Sequence, residues 1–212
     1  MPIFRKDGRN FLFIHVPKAG GTSIENVFNQ SGYERLYLDG KVGEDTVNHV
    51  RWCTPQHMHA AMLETNFRTD RFAGVFMVVR EPVARLRSEY LWRNRAASPS
   101  VDGATVEAWV TSTFRRYAAQ PFLFDNHIRP QVEFKLAGAH VFRLETGLPS
   151  ILAEIDELWD LGLDREIPTS RAGKDLVGHA SHDVEITPAA RKAIRKFYRR
   201  DFAEFGYSTQ SS

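Results

Sequence analysis

The stretch Asn10-Phe-Leu-Phe-Ile-His-Val-Pro-Lys-Ala-Gly-Gly-Thr-Ser-Ile-Glu-Asn-Val-Phe28 decides how the rest of the chain is read. Phe11 to Val16 is a short apolar run of aromatic and β-branched residues that stops at Pro17, the pattern of a buried strand. Ile24, Val27 and Phe28 then recur at helical spacing, so a helix starts near Thr22. The connecting loop, Pro17, Lys18, Ala19, Gly20, Gly21, Thr22 and Ser23, combines two glycines, a lysine and two hydroxyls at a helix start. Free backbone N–H groups and the helix dipole favour an anion there, and the glycines let it approach the main chain. The expectation is a phosphate cradle. It is not a Walker A loop, because the lysine precedes the glycines instead of following them. A structural alternative also fits: Thr22 and Glu25 have the spacing of a capping box.

A chain of 212 residues, 42% hydrophobic and 25% charged, suits a single domain (1–212) with a sizeable core. A formal net charge of +2 gives no reason to expect wholesale binding of nucleic acid or an anionic membrane. The one cysteine, Cys53, excludes an intramolecular disulfide. The N-terminal apolar run is far shorter than the ~20 residues a spanning helix needs and lacks a signal-peptide cleavage pattern, so a cytoplasmic protein is expected.

Outward from the opening stretch, residues 1 to 9 read as a polar lead-in, and Tyr33 to Leu38 as a second strand. Thr54-Pro55 opens a helix that would carry His57 and His59. Gly74 to Val79 is a continuous apolar run, a buried strand, and Pro82 starts a helix with Val83, Leu86, Tyr90 and Leu91 on one face. Ala96 to Gly103 is a loop, Thr105 to Ala119 a helix, and Phe122 to Gly138 has no regular pattern. His140 to Leu144 reads as a strand, and a helix bearing Ile151, Leu152, Ile155, Leu158 and Trp159 follows. After a polar loop at Arg165 to Glu185, one last helix runs from Thr187-Pro188 to Gly206. Strands alternating with helices imply an α/β fold with a mainly parallel sheet.

Arg80 stands where the Gly74 to Val79 strand ends, and Ser88 lies two helical turns beyond Pro82. Ligands of open parallel sheets gather outside the carboxyl ends of the strands, so Arg80 and the glycine loop can face one ligand. An arginine fork with a serine hydroxyl suits a second phosphate. Arg85 and Arg87 are expected on a solvated helix face and receive no role. Cys53, His57 and His59 lack the paired spacing of structural zinc sites, and no metal is expected. His179 and His182 receive no role, and the core is the expected home for most of Trp52, Trp92, Trp109 and Trp159.

Together Phe13-Ile-His-Val-Pro-Lys-Ala-Gly-Gly-Thr-Ser23 and Val79-Arg-Glu-Pro82, continuing to Arg85, Ser88 and Tyr90, resemble the two nucleotide motifs of the PAPS-dependent sulfotransferases, in the branch that includes carbohydrate O-sulfotransferases. Weaker echoes are Arg129-Pro-Gln131, Phe142-Arg-Leu-Glu145 and Tyr198 to Tyr207. The resemblance implies a P-loop-like α/β/α core, with 3′-phosphoadenosine 5′-phosphosulfate (PAPS) as donor and adenosine 3′,5′-bisphosphate as product. The acceptor would offer a hydroxyl, on a carbohydrate or another small metabolite. Pro17 to Ser23 would hold the 5′-phosphate, with Lys18 neutralising the leaving group, and Arg80 with Ser88 would hold the 3′-phosphate. A histidine between the motifs would be the base: His57 is favoured, and a His-x-His pair in some relatives keeps His59 in play. Arg171 and Lys174 would close over the 3′-phosphate. The membrane anchor of the family's animal carbohydrate enzymes is not seen here, which points to a soluble bacterial-type enzyme. Two other readings compete: a small-molecule kinase with a variant phosphate loop, and a non-catalytic nucleotide- or sugar-binding module.

Overall fold

The computed structural model describes residues 2–41, 44–164 and 178–208. A five-stranded sheet runs in the order β3-β1-β2-β4-β5, with β1 at Ile3–Lys6, β2 at Arg9–Ile14, β3 at Glu34–Leu36, β4 at Gly74–Val79 and β5 at His140–Arg143. β2, β4 and β5 are parallel, with Phe11 opposite Gly74 and Phe76 opposite His140. β1 is antiparallel to both β2 and β3. The α/β class therefore holds, with the parallel order confined to the three strands whose ends carry the motifs.

Residues 3 to 6 are no lead-in. Asp7 and Gly8 take left-handed φ values of 49° and 75° between Lys6 and Arg9, a two-residue hairpin turn that folds β1 onto β2. Ile3 and Phe4 are consequently buried.

Side chains alternate across the sheet and feed two cores. On one face Phe11, Phe13, Phe76 and Val78 pack with Ile24, Val27 and Phe28 of α1 (Gly21–Gln30) and with Ile151, Leu152 and Ile155 of α5 (Leu148–Trp159). On the other, Leu12, Ile14, Met77 and Val79 pack against α3 (Pro82–Asn94) and α4 (Gly103–Ala119). Ile194 and Phe202, from the C-terminal helices, complete that side.

Three further expectations are corrected. The single last helix is two, α6 (Pro188–Phe197) and α7 (Arg199–Glu204), broken at Tyr198, whose hydroxyl donates to the Ile128 carbonyl (2.9 Å). The helix expected from Thr54-Pro55 is one 3₁₀ turn, Pro55–His57. Met58 and His59 are extended, and α2 (Ala60–Asn66) begins only after them, so His57 and His59 do not share a helix. Of the tryptophans, Trp159 packs on Gly74 and Trp109 against Tyr90, whereas Trp52 and Trp92 are exposed.

Candidate active site

A cleft of about 700 Å³ opens at the carboxyl ends of β2 and β4. Pro17, Lys18, Gly20, Gly21, Thr22, Ser23, His57, Arg80 and Ser88 all line it. Ala19 is buried beneath the loop, and its N–H donates to the Val16 carbonyl (3.3 Å). His59 does not line the cleft; its ring packs edge-on against Phe122 instead. Arg171 and Lys174 lie outside the described residues.

The loop is shaped by backbone conformations that few residues tolerate. Lys18 has φ 66° and Gly20 φ 85°, so Gly20 serves as the α1 N-cap with no side-chain cap. The capping box does not form, because Glu25 turns to His15, whose Nδ1 is 2.7 Å from Glu25 Oε1. Gly20, Gly21, Thr22 and Ser23, the start of α1, line the cleft, where the helix dipole favours an anion. Gly21 is required by a close approach: a Cβ there would meet His15 Nε2 at 2.2 Å.

The two motifs are tied to each other. Arg80 Nη1 donates to the Lys18 carbonyl (3.3 Å), and Gln131 brackets the Arg80 backbone, accepting from its N–H (2.9 Å) and donating to its carbonyl (2.7 Å). Arg85 is not on a solvated face. It is 2% exposed, donating from Nε to the Pro17 carbonyl (3.1 Å) and from Nη2 to the carbonyls of His127 (2.6 Å) and Arg129 (2.9 Å). One buried guanidinium thus fixes the end of β2 against the segment across the cleft. Arg87 is also half-buried.

Lys18 Nζ lies 4.5 Å from the centre of the Trp92 ring, and the Arg95 guanidinium lies 3.9 Å from the same ring centre. Burial lowers the Lys18 pKa to about 8, so the ammonium is still largely charged at neutral pH. Burial likewise lowers that of Arg80, a guanidinium that nevertheless keeps its charge.

His57 is held by a network absent from the sequence reading. Its Nδ1 is 2.6 Å from Asp125 Oδ2, which also accepts from Thr54 Oγ1 (2.7 Å), while Asp125 Oδ1 accepts from the Thr54 N–H (2.6 Å). A carboxylate only accepts, so His57 carries its proton on Nδ1 and Nε2 is left with the lone pair. Burial holds the imidazole well below its ordinary pKa of 6.5, against the pull of Asp125. Asp125 reaches this position through three consecutive left-handed residues, Phe124, Asp125 and Asn126, at φ 54°, 59° and 64°. Such a run costs about 1–2 kcal/mol per residue. Asn126 offsets it by donating to the His57 carbonyl (2.8 Å) and accepting from Arg129 Nε (2.9 Å).

A second buried pair flanks the first. His127 Nδ1 bonds Glu89 Oε2 (2.6 Å), and the same carboxylate accepts from Arg93. The rings of His15 and His127 stand edge-on to His57, with centres 5.2 Å and 4.8 Å away. Cys53 is not part of any metal grouping with His57 and His59: its Sγ faces Met62 Sδ, and burial raises its pKa to about 12. Among the described residues the grouping able to hold a cation is His57, Asp125 and His127, whose ligand atoms lie within 4.8 Å of one another. Asp125, His127 and Glu89 escaped the sequence reading because nothing in the irregular 122–138 stretch, nor in a glutamate on α3, marks them locally.

A family model described as Sulfotransferase family matches residues 1–208. The chain belongs to the sulfotransferase family. No curated protein and no solved structure matches it. Membership supports sulfuryl transfer in general, and the cleft of this sulfotransferase-family chain is lined by Lys18, Arg80 and His57. None of the described helices is long and apolar enough to cross a membrane.

Proposed function

We propose that this chain transfers a sulfuryl group from PAPS to an acceptor hydroxyl, on a carbohydrate or another small metabolite, with His57 as the base. The observation that carries this reading is that Arg80 and the glycine loop share one cleft, the guanidinium bonded to the Lys18 carbonyl. A nucleotide phosphorylated at both ends of its ribose needs two separated anion sites on one wall. The α1 N-terminus with Gly20 to Ser23 suits the 5′-phosphate, and Arg80 with Ser88 suits the 3′-phosphate.

The donor, when bound, supplies a sulfuryl group on a phosphate leaving group. Lys18 stabilises the negative charge that collects on that phosphate, which requires its ammonium to leave the face of Trp92. His57 Nε2 takes the acceptor proton, and Asp125 stabilises the imidazolium that results. As in phosphoryl transfer, positioning and charge stabilisation supply the catalysis, with no covalent intermediate on the protein. Where a kinase needs an acidic residue for Mg²⁺, β4 runs into Arg80, which favours the bisphosphate over ATP.

Calorimetric titration tests the reading. Adenosine 3′,5′-bisphosphate is expected to bind at least about tenfold more tightly than ATP, and Arg80→Ala to remove about that factor, since a charge-assisted hydrogen bond contributes about 1.5–3 kcal/mol. Preference for ATP would overturn it. The acceptor is then found by incubating the protein and radiolabelled donor with cell extract and identifying the labelled product.

A further inference from the structure

A second groove, of about 380 Å³, lies across α3 from the cleft and shares no lining residue with it. Its walls carry Arg87 from α3, Arg143 from the end of β5, and Arg191 and Arg195 from α6. Consecutive residues divide between the two sites: Arg80 and Ser88 line the cleft, Glu81 and Arg87 the groove.

Both carboxylates of the groove are already committed. Glu81 accepts from the Ala84 N–H at the start of α3 (2.6 Å). Glu145 accepts from the Glu81 N–H (2.7 Å) and from the Tyr207 hydroxyl (3.1 Å). None of the four guanidiniums forms an ion pair among the described residues. Arg87 Nε is fully buried and has no hydrogen-bond partner. Arg191 and Arg195 stand four apart on one helix, a like-charged spacing that destabilises a helix unless something neutralises it. Burial, and then the neighbouring Arg191, lower the Arg87 pKa.

We propose that this groove is a binding site for a dianionic tetrahedral oxyanion, inorganic phosphate or sulfate or the phosphate of a monoester, separate from the nucleotide cleft. Among the described residues, four guanidiniums against two committed carboxylates leave two positive charges, which one such dianion balances. Guanidinium forks match tetrahedral oxyanions bidentately, and one of the four, Arg87, has its Nε without a partner. The dianion is either free in solution or the ester group of a larger molecule, and the two sources share this chemistry.

The test is calorimetric titration of the full chain, at a pH of about 8 where both probes are dianionic, with inorganic phosphate and with N-acetylglucosamine 6-phosphate. Binding is expected to persist in Arg80→Ala, which weakens only the cleft, and to fall at least about tenfold in the double variant Arg191→Ala/Arg195→Ala. Arg143→Ala, on an exposed side chain, gives a second reading of the groove should the double variant fail to fold. Tighter binding of the sugar phosphate with the same dependence on the groove arginines assigns the site to an esterified group, and equal binding assigns it to the free anion. No binding of either probe by the unaltered chain at tens of millimolar would overturn the proposal. So would binding abolished by Arg80→Ala yet untouched by the groove variants. Because the groove variants leave the cleft intact, failure here leaves the PAPS reading standing, and loss of nucleotide preference leaves this site standing.

Discussion

At the scale of single residues, the orientation of one carboxamide can decide whether His57 is a base. Asp125 Oδ1 accepts from the Thr54 N–H, which is a fixed donor. In Asp125→Asn that donor keeps the amide oxygen on its own side and turns the NH₂ toward His57 Nδ1. The imidazole must then carry its proton on Nε2, where it is unable to accept one from a hydroxyl. Turnover is expected to fall by about 10²–10⁴, the usual contribution of a positioned base, with bisphosphate affinity within about twofold of the parent. Turnover within about threefold would show that the His57–Asp125 pair does not perform the proton transfer. Lys18 divides the kinetic parameters in its own way: its charge matters most as the leaving group forms, so Lys18→Ala should lower kcat far more than nucleotide affinity. Equal losses in steady-state kinetics and titration would refute that role.

At the scale of elements, Arg85 joins three pieces of chain, α3, the end of β2 and the 127–129 segment, through one guanidinium. Arg85→Met keeps the apolar stem and strands the carbonyls of Pro17, His127 and Arg129. A loss of about 3 kcal/mol or more in urea unfolding is expected, together with at least about tenfold weaker bisphosphate binding as the Pro17 loop loosens. Arg85→Lys should not restore either, because one ammonium does not span three carbonyls in a plane. Full rescue by lysine would mean the site needs charge alone. The same residue shows where sequence stops being legible. The phosphate loop and Arg80 could be placed because β2 and β4 are continuous apolar runs punctuated by Pro17 and Pro82, a local signal. Arg85 sits among other arginines on a helix, and its burial is explained only by distant carbonyls, that of Pro17 lying 68 positions away in the chain. His57 and Asp125 are likewise 68 apart, and Glu89 and His127 are 38 apart. No periodicity encodes such closures. β1 is different, since Asp7-Gly8 between Phe4 and Phe11 is a hairpin signal present in the sequence and passed over.

At the scale of the whole molecule, the histidines make stability depend on pH in a direction that follows from their burial. His15, His57 and His59 all have pKa values below the ordinary 6.5, with burial the leading cause. Below pH 6.5 the unfolded chain therefore binds protons that the folded chain does not, so stability falls as pH is lowered and is complete above 6.5. The carboxyls of Asp125 and Glu89 act at lower pH. Burial opposes their charge, but their imidazole and other hydrogen-bond partners hold both below the usual carboxylate range, and the stability they add is lost as they protonate. Asp201, raised by burial, works in the opposite sense, one carboxyl against the three imidazoles. Urea midpoints are accordingly expected to fall between pH 7.5 and pH 5.5, with a smaller fall in His57→Gln. Transfer should behave differently over the same interval: His57 stays neutral below pH 6.5, so kcat/KM at fixed donor should hold its value down to the point where the fold itself begins to fail. A midpoint that rises on acidification, or a rate that drops tenfold between pH 7 and 6 while the fold is intact, would mean that burial does not keep the His57 imidazole neutral in the native cleft.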